Sequence, residues 1–297
     1  MPDTSTSRAS KSKQVGEGFV AWDYNALPPA HTTPRSPLRR LLDDYLDWSR
    51  DKDRITLFTS VDVSVFSAYC DECKAARRRP PSLVAYVARC LGVVCKDAKG
   101  VTASRLNGRV YTPQHVNLAV LVSAKTPDGD AIPYILELLR ADERTLGDLG
   151  EELASRSRAL RREGLQNRVL AGAMKLGRLP QPLRRGVYRL ALLHPRFRHA
   201  IAHTTSFIGL TALTGYTGNR SYWGAPVMPY SCSVVMGGLS RKALVIEDDR
   251  IEARSCLDLS LSCDHSLFDA AQGAQMCERL CAEIESGRLL SELSTHN

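Results

Sequence analysis

Residues 257 to 271, Leu-Asp-Leu-Ser-Leu-Ser-Cys-Asp-His-Ser-Leu-Phe-Asp-Ala-Ala, limit the fold more than any other stretch of this chain. Leu257, Leu259 and Leu261 alternate with Asp258, Ser260 and Ser262, which is the period of a half-buried strand. Phe268, Ala271, Met276, Leu280 and Ile284 then recur at helical spacing, and Asp269 stands where an N-cap or first-turn acid is expected. His265 is therefore held on a short turn between a strand and a helix. Such a turn fixes the direction of an imidazole, and an imidazole titrating near neutral pH is a ready general base.

The chain around this turn has 297 residues, 43% of them hydrophobic and 24% charged, enough to bury one large core or two small ones. No run of 18 apolar residues occurs, and the opening Met-Pro-Asp-Thr-Ser-Thr-Ser offers no apolar segment for a signal peptide. A cytoplasmic protein without membrane association is expected. Nine cysteines, an odd number in apolar or helical contexts, read as reduced thiols. Only Cys70 and Cys73 have metal or redox spacing; no second pair completes a zinc set, and no metal is expected. Cys277 and Cys281 read as core packing, and Cys263 as a packed thiol or, less simply, a nucleophile.

The net charge of +8 is concentrated: residues 151 to 200 hold twelve Lys or Arg against three Glu, a local balance of +9 that leaves the rest at −1. Such an excess suits a solvated helix face, nucleic acid, anionic lipid or a polyanionic co-substrate. Aromatic platforms and nucleic-acid motifs do not accompany it, so no nucleic acid is expected.

Residues 1–36, rich in Ser, Thr, Lys and Pro, read as a flexible N-terminal arm, and 37–297 as the main domain. Helical patterns run over 37–49, from a Ser64 cap to about 78, and from Ser82 to about 96; strand patterns cover 55–63, the flanks of Asn107-Gly108, 116–122 and 131–135. Pro133 argues for an edge or a bulge. A helix with a basic end spans 146–163, and residues 165–203 break the alternation around Leu179-Pro180-Gln181-Pro182, with an apolar and basic helix over 183–193. That helix could pack on the domain, cover a pocket or lie on a membrane. A strand is expected over 205–213, a loop over 214–224, a strand over 231–239 ending in Gly237-Gly238, and a hairpin of 242–246 with 250–252.

Asp264-His265-Ser266-Leu267-Phe268-Asp269-Ala270 resembles the Asp-His-Arg-x-x-Asp-Gly signature of the catalytic domain of dihydrolipoyl acyltransferases of 2-oxoacid dehydrogenase complexes. Chloramphenicol acetyltransferases and peptide-synthetase condensation domains share a cousin of that motif. Val116-Asn117-Leu118-Ala119-Val120 is similar to the family's Val-Asn-Ile-Gly-Val strand, Ile132-Pro133-Tyr134-Ile135 to its Val-Pro-Val-Ile, and Leu210-Thr211-Ala212-Leu213 to its Ile-Ser-Asn-Leu segment. The likeness runs over roughly residues 37 to 290.

This resemblance implies an α/β fold, a chloramphenicol acetyltransferase-like mixed β-sheet flanked by helices, assembled as a homotrimer or a higher assembly of trimers with active sites between subunits. It makes His265 the general base, Thr211 the hydroxyl that stabilises the oxyanion, and Asp269 a structural acid that holds the turn through an ion pair. From the residues alone Thr211 reads first as a strand threonine satisfied by backbone, and only second as a catalytic hydroxyl. Ser266 and Ala270 depart from the signature, and an alanine forced to positive φ costs on the order of 1 kcal/mol. No lipoyl-type lysine hairpin or Ala/Pro linker stands before the catalytic part, which argues against a dehydrogenase subunit. The implied activity is an acyl-CoA-dependent O-acyltransferase of specialised-metabolite or antibiotic biosynthesis. It would move an acyl group, acetyl by preference, from acetyl-CoA as co-substrate, with no permanent cofactor, to a hydroxyl of a small natural-product intermediate such as a tetronate. Arg156, Arg161 and Arg162 are then the candidates for the coenzyme's phosphates. A carrier-protein-dependent condensation or cyclisation enzyme and a non-catalytic trimeric scaffold are the alternatives.

Overall fold

The computed structural model describes residues 14–15, 19–20, 36–49, 53–98, 100–106, 108–125, 131–163, 174–205 and 207–293. The chain divides into two units, Met1–Ser36 and Pro37–Asn297. In the first, β1 (Gln14–Val15) and β2 (Phe19–Val20) pair antiparallel; the arm expected over 1–36 otherwise lies outside the described residues.

The second unit is a six-stranded mixed sheet with helices. Its strands are β3 (Arg54–Asp62), β6 (Leu118–Lys125), β7 (Ala131–Leu138), β8 (Ile208–Ala212), β9 (Cys232–Val245) and β10 (Ile251–Asp264), in the order β3-β10-β9-β8-β6-β7. β8 runs parallel to β6 and β9, and the other neighbours are antiparallel. β4 (Ser104–Leu106) and β5 (Arg109–Tyr111) form a separate hairpin, turned by Gly108 at φ 72°. The helices are α1 (Pro37–Ser49), α2 (Ser64–Ala75), α3 (Leu83–Cys95), α4 (Leu146–Glu163), α5 (Gln181–Leu193), α6 (Pro195–Thr205) and α7 (Ala270–Ser286).

Alternation along the strands builds two different faces. Leu257, Leu259 and Leu261 of β10, Val234 and Met236 of β9, Ile208 and Leu210 of β8, and Leu118 and Val120 of β6 join one core with Tyr86 and Leu91 of α3 and Met276, Leu280 and Ile284 of α7. The reverse face carries a smaller cluster of Ala119, Phe207, Met228 and Tyr230. Beside that cluster the even positions of β10 bury Asp258, Ser260, Ser262 and Asp264. Pro133 stands on β7, an edge strand, where a missing N–H is best tolerated.

Several expectations are corrected. β9 does not end at Gly237-Gly238 but continues to Val245, so the expected short hairpin is the far end of two 14-residue strands. The glycines serve a close crossing instead: a Cβ on Gly237 would lie 1.9 Å from Tyr222 O, and one on Gly238 2.1 Å from Arg220 O. The stretch expected to run irregularly into a strand at Thr205 forms α6, started by Pro195, whose fixed φ suits a first helical position; the strand begins at Ile208. Ser64 does not cap α2. Asp62 Oδ1 accepts the Ser64 N–H at 2.8 Å, while Ser64 Oγ accepts from Ser255 N at 3.0 Å. α5 is anchored through Arg184, which donates to Asp44 at 2.6 and 2.9 Å, and leaves Leu183, Val187, Leu190 and Leu193 exposed.

Candidate active site

β10 lies between β3 and β9, so its end is fixed on both sides. Asp264 N–H donates to Ser231 O and His265 N–H to Asp53 O, both at 2.8 Å. The chain then turns: Leu267 and Phe268 donate their N–H groups to Asp264 O at 3.0 and 3.1 Å, and the buried Phe268 ring plugs the core. Asp264 Oδ1 accepts from Ser266 N at 3.1 Å and from Ser266 Oγ at 2.6 Å. The serine that replaces the signature arginine thus closes the turn onto the buried aspartate.

On this frame His265 is exposed, with Nδ1 3.3 Å from Phe268 O. A carbonyl oxygen only accepts, so this contact places the ring proton on Nδ1 and leaves the Nε2 lone pair outward. That is the tautomer a general base requires. Asp269 is the N-cap of α7 in a capping box, accepting from Gln272 N at 2.7 Å while its own N–H donates to Gln272 Oε1 at 3.1 Å. Among the described residues it forms no ion pair, and it holds the turn as a cap. Ala270 opens α7 and is not among the positive-φ residues, so the conditional penalty for losing glycine there does not arise. Asp269→Ala is expected to cost about 1–2 kcal/mol through the lost cap, read as a lowered Tm in thermal denaturation; an unchanged Tm would remove the cap from the account.

One residue at the turn was not singled out from sequence. Arg54, opposite Asp264 in register, sends its guanidinium under the turn, donating to Met228 O and, at 3.1 Å, to Tyr230 O. Burial pushes the Arg54 guanidinium down from its ordinary range, against the attraction of Asp264 and neighbouring groups. Only the pairing of strands some 200 positions apart could have revealed this couple. Cys263 is buried, its Sγ 3.9 Å from Cys232 Sγ on the facing strand, and it points into the helical core, away from solvent.

Thr211 lies on β8, opposite Leu121 of β6 and Val235 of β9. It shares a groove of about 760 Å³ with Leu121, Ser123, Ser157, Arg161 and Tyr216. Arg161 therefore lines the same groove as Thr211, but Arg156 and Arg162 are not in the groove lining. Arg156 is engaged with Glu137 O and, at 2.8 Å, with Glu152 Oε1. Burial opposes ionisation of Glu152, yet hydrogen bonds from Arg144 and Arg156 hold its carboxyl below the usual range. Arg162 is exposed.

His265 and Thr211 do not meet within one chain. Cys263 faces Cys232, which faces Ile208, so His265 lies beyond the sheet edge from which Thr211 is three residues removed and two strands across. At strand rises of about 3.3 Å and spacings of about 4.8 Å, the separation is on the order of 15–20 Å.

Residues 214–291, which include the whole turn, match the model of the 2-oxoacid dehydrogenases acyltransferase (catalytic domain). No curated protein matches the chain significantly. Among solved structures, the dihydrolipoamide acetyltransferase of Azotobacter vinelandii is similar with a TM-score of 0.65 and 17% identity, over 92% of this chain and 98% of that one. The cubic core of a pyruvate dehydrogenase multienzyme complex is similar at 0.64 and 16%, over 92% and 98%. A probable dihydrolipoamide acetyltransferase from Listeria monocytogenes gives 0.62 and 14%, over 86% and 95%. At these identities the likeness is one of fold. The chain thus resembles the acyltransferase catalytic domain of the 2-oxoacid dehydrogenases, by sequence over residues 214–291 and by fold over most of its length.

Proposed function

We propose that this protein transfers an acyl group, acetyl by preference, from acetyl-CoA to a hydroxyl of a small natural-product intermediate, a tetronate hydroxymethyl group being the type of acceptor. The observation that carries the reading is His265: exposed, its Nδ1 held by Phe268 O, its Nε2 open, on a turn inside the matched stretch. In the Azotobacter vinelandii enzyme a serine, a histidine and an asparagine four positions after the histidine have a role in the catalytic mechanism. His265 and Asp269 repeat the spacing of four, and Thr211 stands 54 positions before His265 where that serine stands 52 before its histidine.

In the proposed step His265 Nε2 takes the proton of the acceptor hydroxyl as its oxygen attacks the thioester carbonyl carbon. The Thr211 hydroxyl donates to the oxyanion of the tetrahedral intermediate. Collapse breaks the carbon–sulfur bond and expels the coenzyme thiolate, which recovers the proton from His265. Arg161, in the Thr211 groove, is the residue best placed for a coenzyme phosphate. Because His265 and Thr211 lie far apart in one chain, the site is completed by pairing the histidine of one copy with the threonine of another, in a homotrimer or an assembly of trimers.

The test is complementation. Thr211→Val is expected to lower kcat roughly 10²-fold, equivalent to about 3 kcal/mol for one oxyanion donor, and His265→Ala to lower it by about 10²- to 10⁴-fold in the same assay of thiol release. Co-expressed, the two variants should regain activity, since roughly a quarter of the interfaces in a random 1:1 mixture pair two intact partners. Absence of any rescue would refute the shared site. A requirement for an acyl carrier protein in place of free acetyl-CoA would move the donor to a carrier-bound acyl chain. An intact trimer with no thioester turnover would indicate a scaffold.

A further inference from the structure

His115, Asp142 and Glu143 come together at the end of the sheet, and no spacing in the sequence announces them. His115 lies just before β6; Asp142 and Glu143 lie in the turn after β7. The two segments are clasped by Ala141 N–H to Val116 O at 2.8 Å, Val116 N–H to Asp142 Oδ1 at 2.9 Å, and Arg140 N–H to Asn117 Oδ1 at 3.0 Å. Arg140 has a left-handed backbone with φ 54°, and α3 backs the turn so closely that a Cβ on Gly92 would lie 2.4 Å from Ala141 O. The three side chains thus converge on a rigid frame.

His115 Nδ1 lies 3.6 Å from Asp142 Oδ2 and 3.4 Å from Glu143 Oε1. This nitrogen is buried although the ring is 28% exposed, and among the described residues it has no hydrogen-bond partner. Neither contact makes a hydrogen bond, so the two carboxylates leave this nitrogen unsatisfied. The separations do fit a bound ion: bonds of about 2.0–2.2 Å to nitrogen and oxygen in a tetrahedron set ligand atoms roughly 3.3–3.6 Å apart. The other oxygen of each carboxylate is occupied, Asp142 Oδ1 by Val116 N and Glu143 Oε2 by Arg140 Nε at 2.7 Å, which aims the free oxygens as second-sphere hydrogen bonds do in metal sites. Two carboxylates against the one Arg140 guanidinium paired with Glu143 leave the cluster net negative.

We infer that His115, Asp142 and Glu143 form a site for a divalent transition-metal ion, zinc by donor set and spacing, with a fourth position open to water beside the exposed Glu143. The ion would tie the start of β6 to the turn after β7. This inference is independent of acyl transfer, because Thr211 pairs with Leu121, further along β6.

The test uses tag-free full-length protein stripped with a chelator and titrated with cobalt, then with zinc in competition. One equivalent of cobalt should produce visible d–d absorption of a tetrahedral nitrogen and oxygen site, displaced by zinc, and zinc should raise Tm in a concentration-dependent way. His115→Gln and Glu143→Gln should each weaken cobalt binding at least about tenfold. Asp142 is left intact because its Oδ1 also serves Val116. The absence of a visible band, binding unchanged in His115→Gln, or near-ultraviolet thiolate-to-cobalt absorption from the cysteines would each overturn the assignment.

Discussion

Replacing His265 by alanine is expected to lower acceptor-dependent thiol release from acetyl-CoA by about 10²- to 10⁴-fold, the usual worth of a positioned general base. The physical reason lies in the turn. β10 ends between β3 and β9, His265 donates its backbone N–H to Asp53 O, and its ring is oriented by Phe268 O. The strand pairing and the bond to Asp53 O belong to the main chain, so the alanine variant keeps the turn and loses the imidazole with its one contact to Phe268 O. Its Tm should stay near that of the parent, because an exposed side chain buries little area. Thiol release and thermal denaturation measured on the same preparation decide the matter. A variant that folds and still turns over at the parent rate would remove His265 as the base.

The second large effect is structural. Asp258 is 0% exposed on the reverse face of β10, where its Oδ1 accepts from Lys242 Nζ at 2.6 Å and from Ser60 Oγ at 2.8 Å, and its Oδ2 from Tyr222 N at 3.0 Å. Lys242 also lies 4.7 Å from the centre of the Trp223 ring, and Trp223 Nε1 donates to Thr59 O at 3.0 Å. One carboxylate therefore joins three strands and the crossing chain at Tyr222 and Trp223. Asp258→Ala is expected to destabilise by about 3 kcal/mol, since removing the fully buried carboxylate leaves the partly buried Lys242 ammonium and the Tyr222 N–H without their acceptor. Combining it with Lys242→Met should recover part of that loss, because an apolar replacement of the whole pair no longer leaves an unpaired charge. Urea denaturation of the parent, single and double variants checks both statements. A loss below about 1 kcal/mol, the range of exposed ion pairs, would show that the pair is solvated.

Periodicity in the sequence was enough for elements whose faces differ sharply. The alternation of Leu257, Leu259 and Leu261 marks β10, and the helix expected over 146–163 is α4 as found. It failed where the signal was not local. The Pro195–Thr205 helix has too many basic and polar residues to show an apolar stripe, and Gly237-Gly238 reads as a strand end when no partner is in view. In the fold those glycines admit the backbone at Arg220 and Tyr222, a contact that exists only once the chain has crossed the sheet.

The candidate site divides in the same way. By itself the sequence determined that a histidine follows a strand and precedes a capped helix, because the hydrophobic period and the Asp269 cap act within a few residues. The tertiary structure alone decided that Arg54 lies beneath Asp264, that Arg161 rather than Arg156 shares the Thr211 groove, that His265 and Thr211 are apart in one chain, and that His115 meets Asp142 and Glu143. Those relations depend on strand order and register, which are fixed by pairings between distant segments, and no local pattern of residue types carries that information.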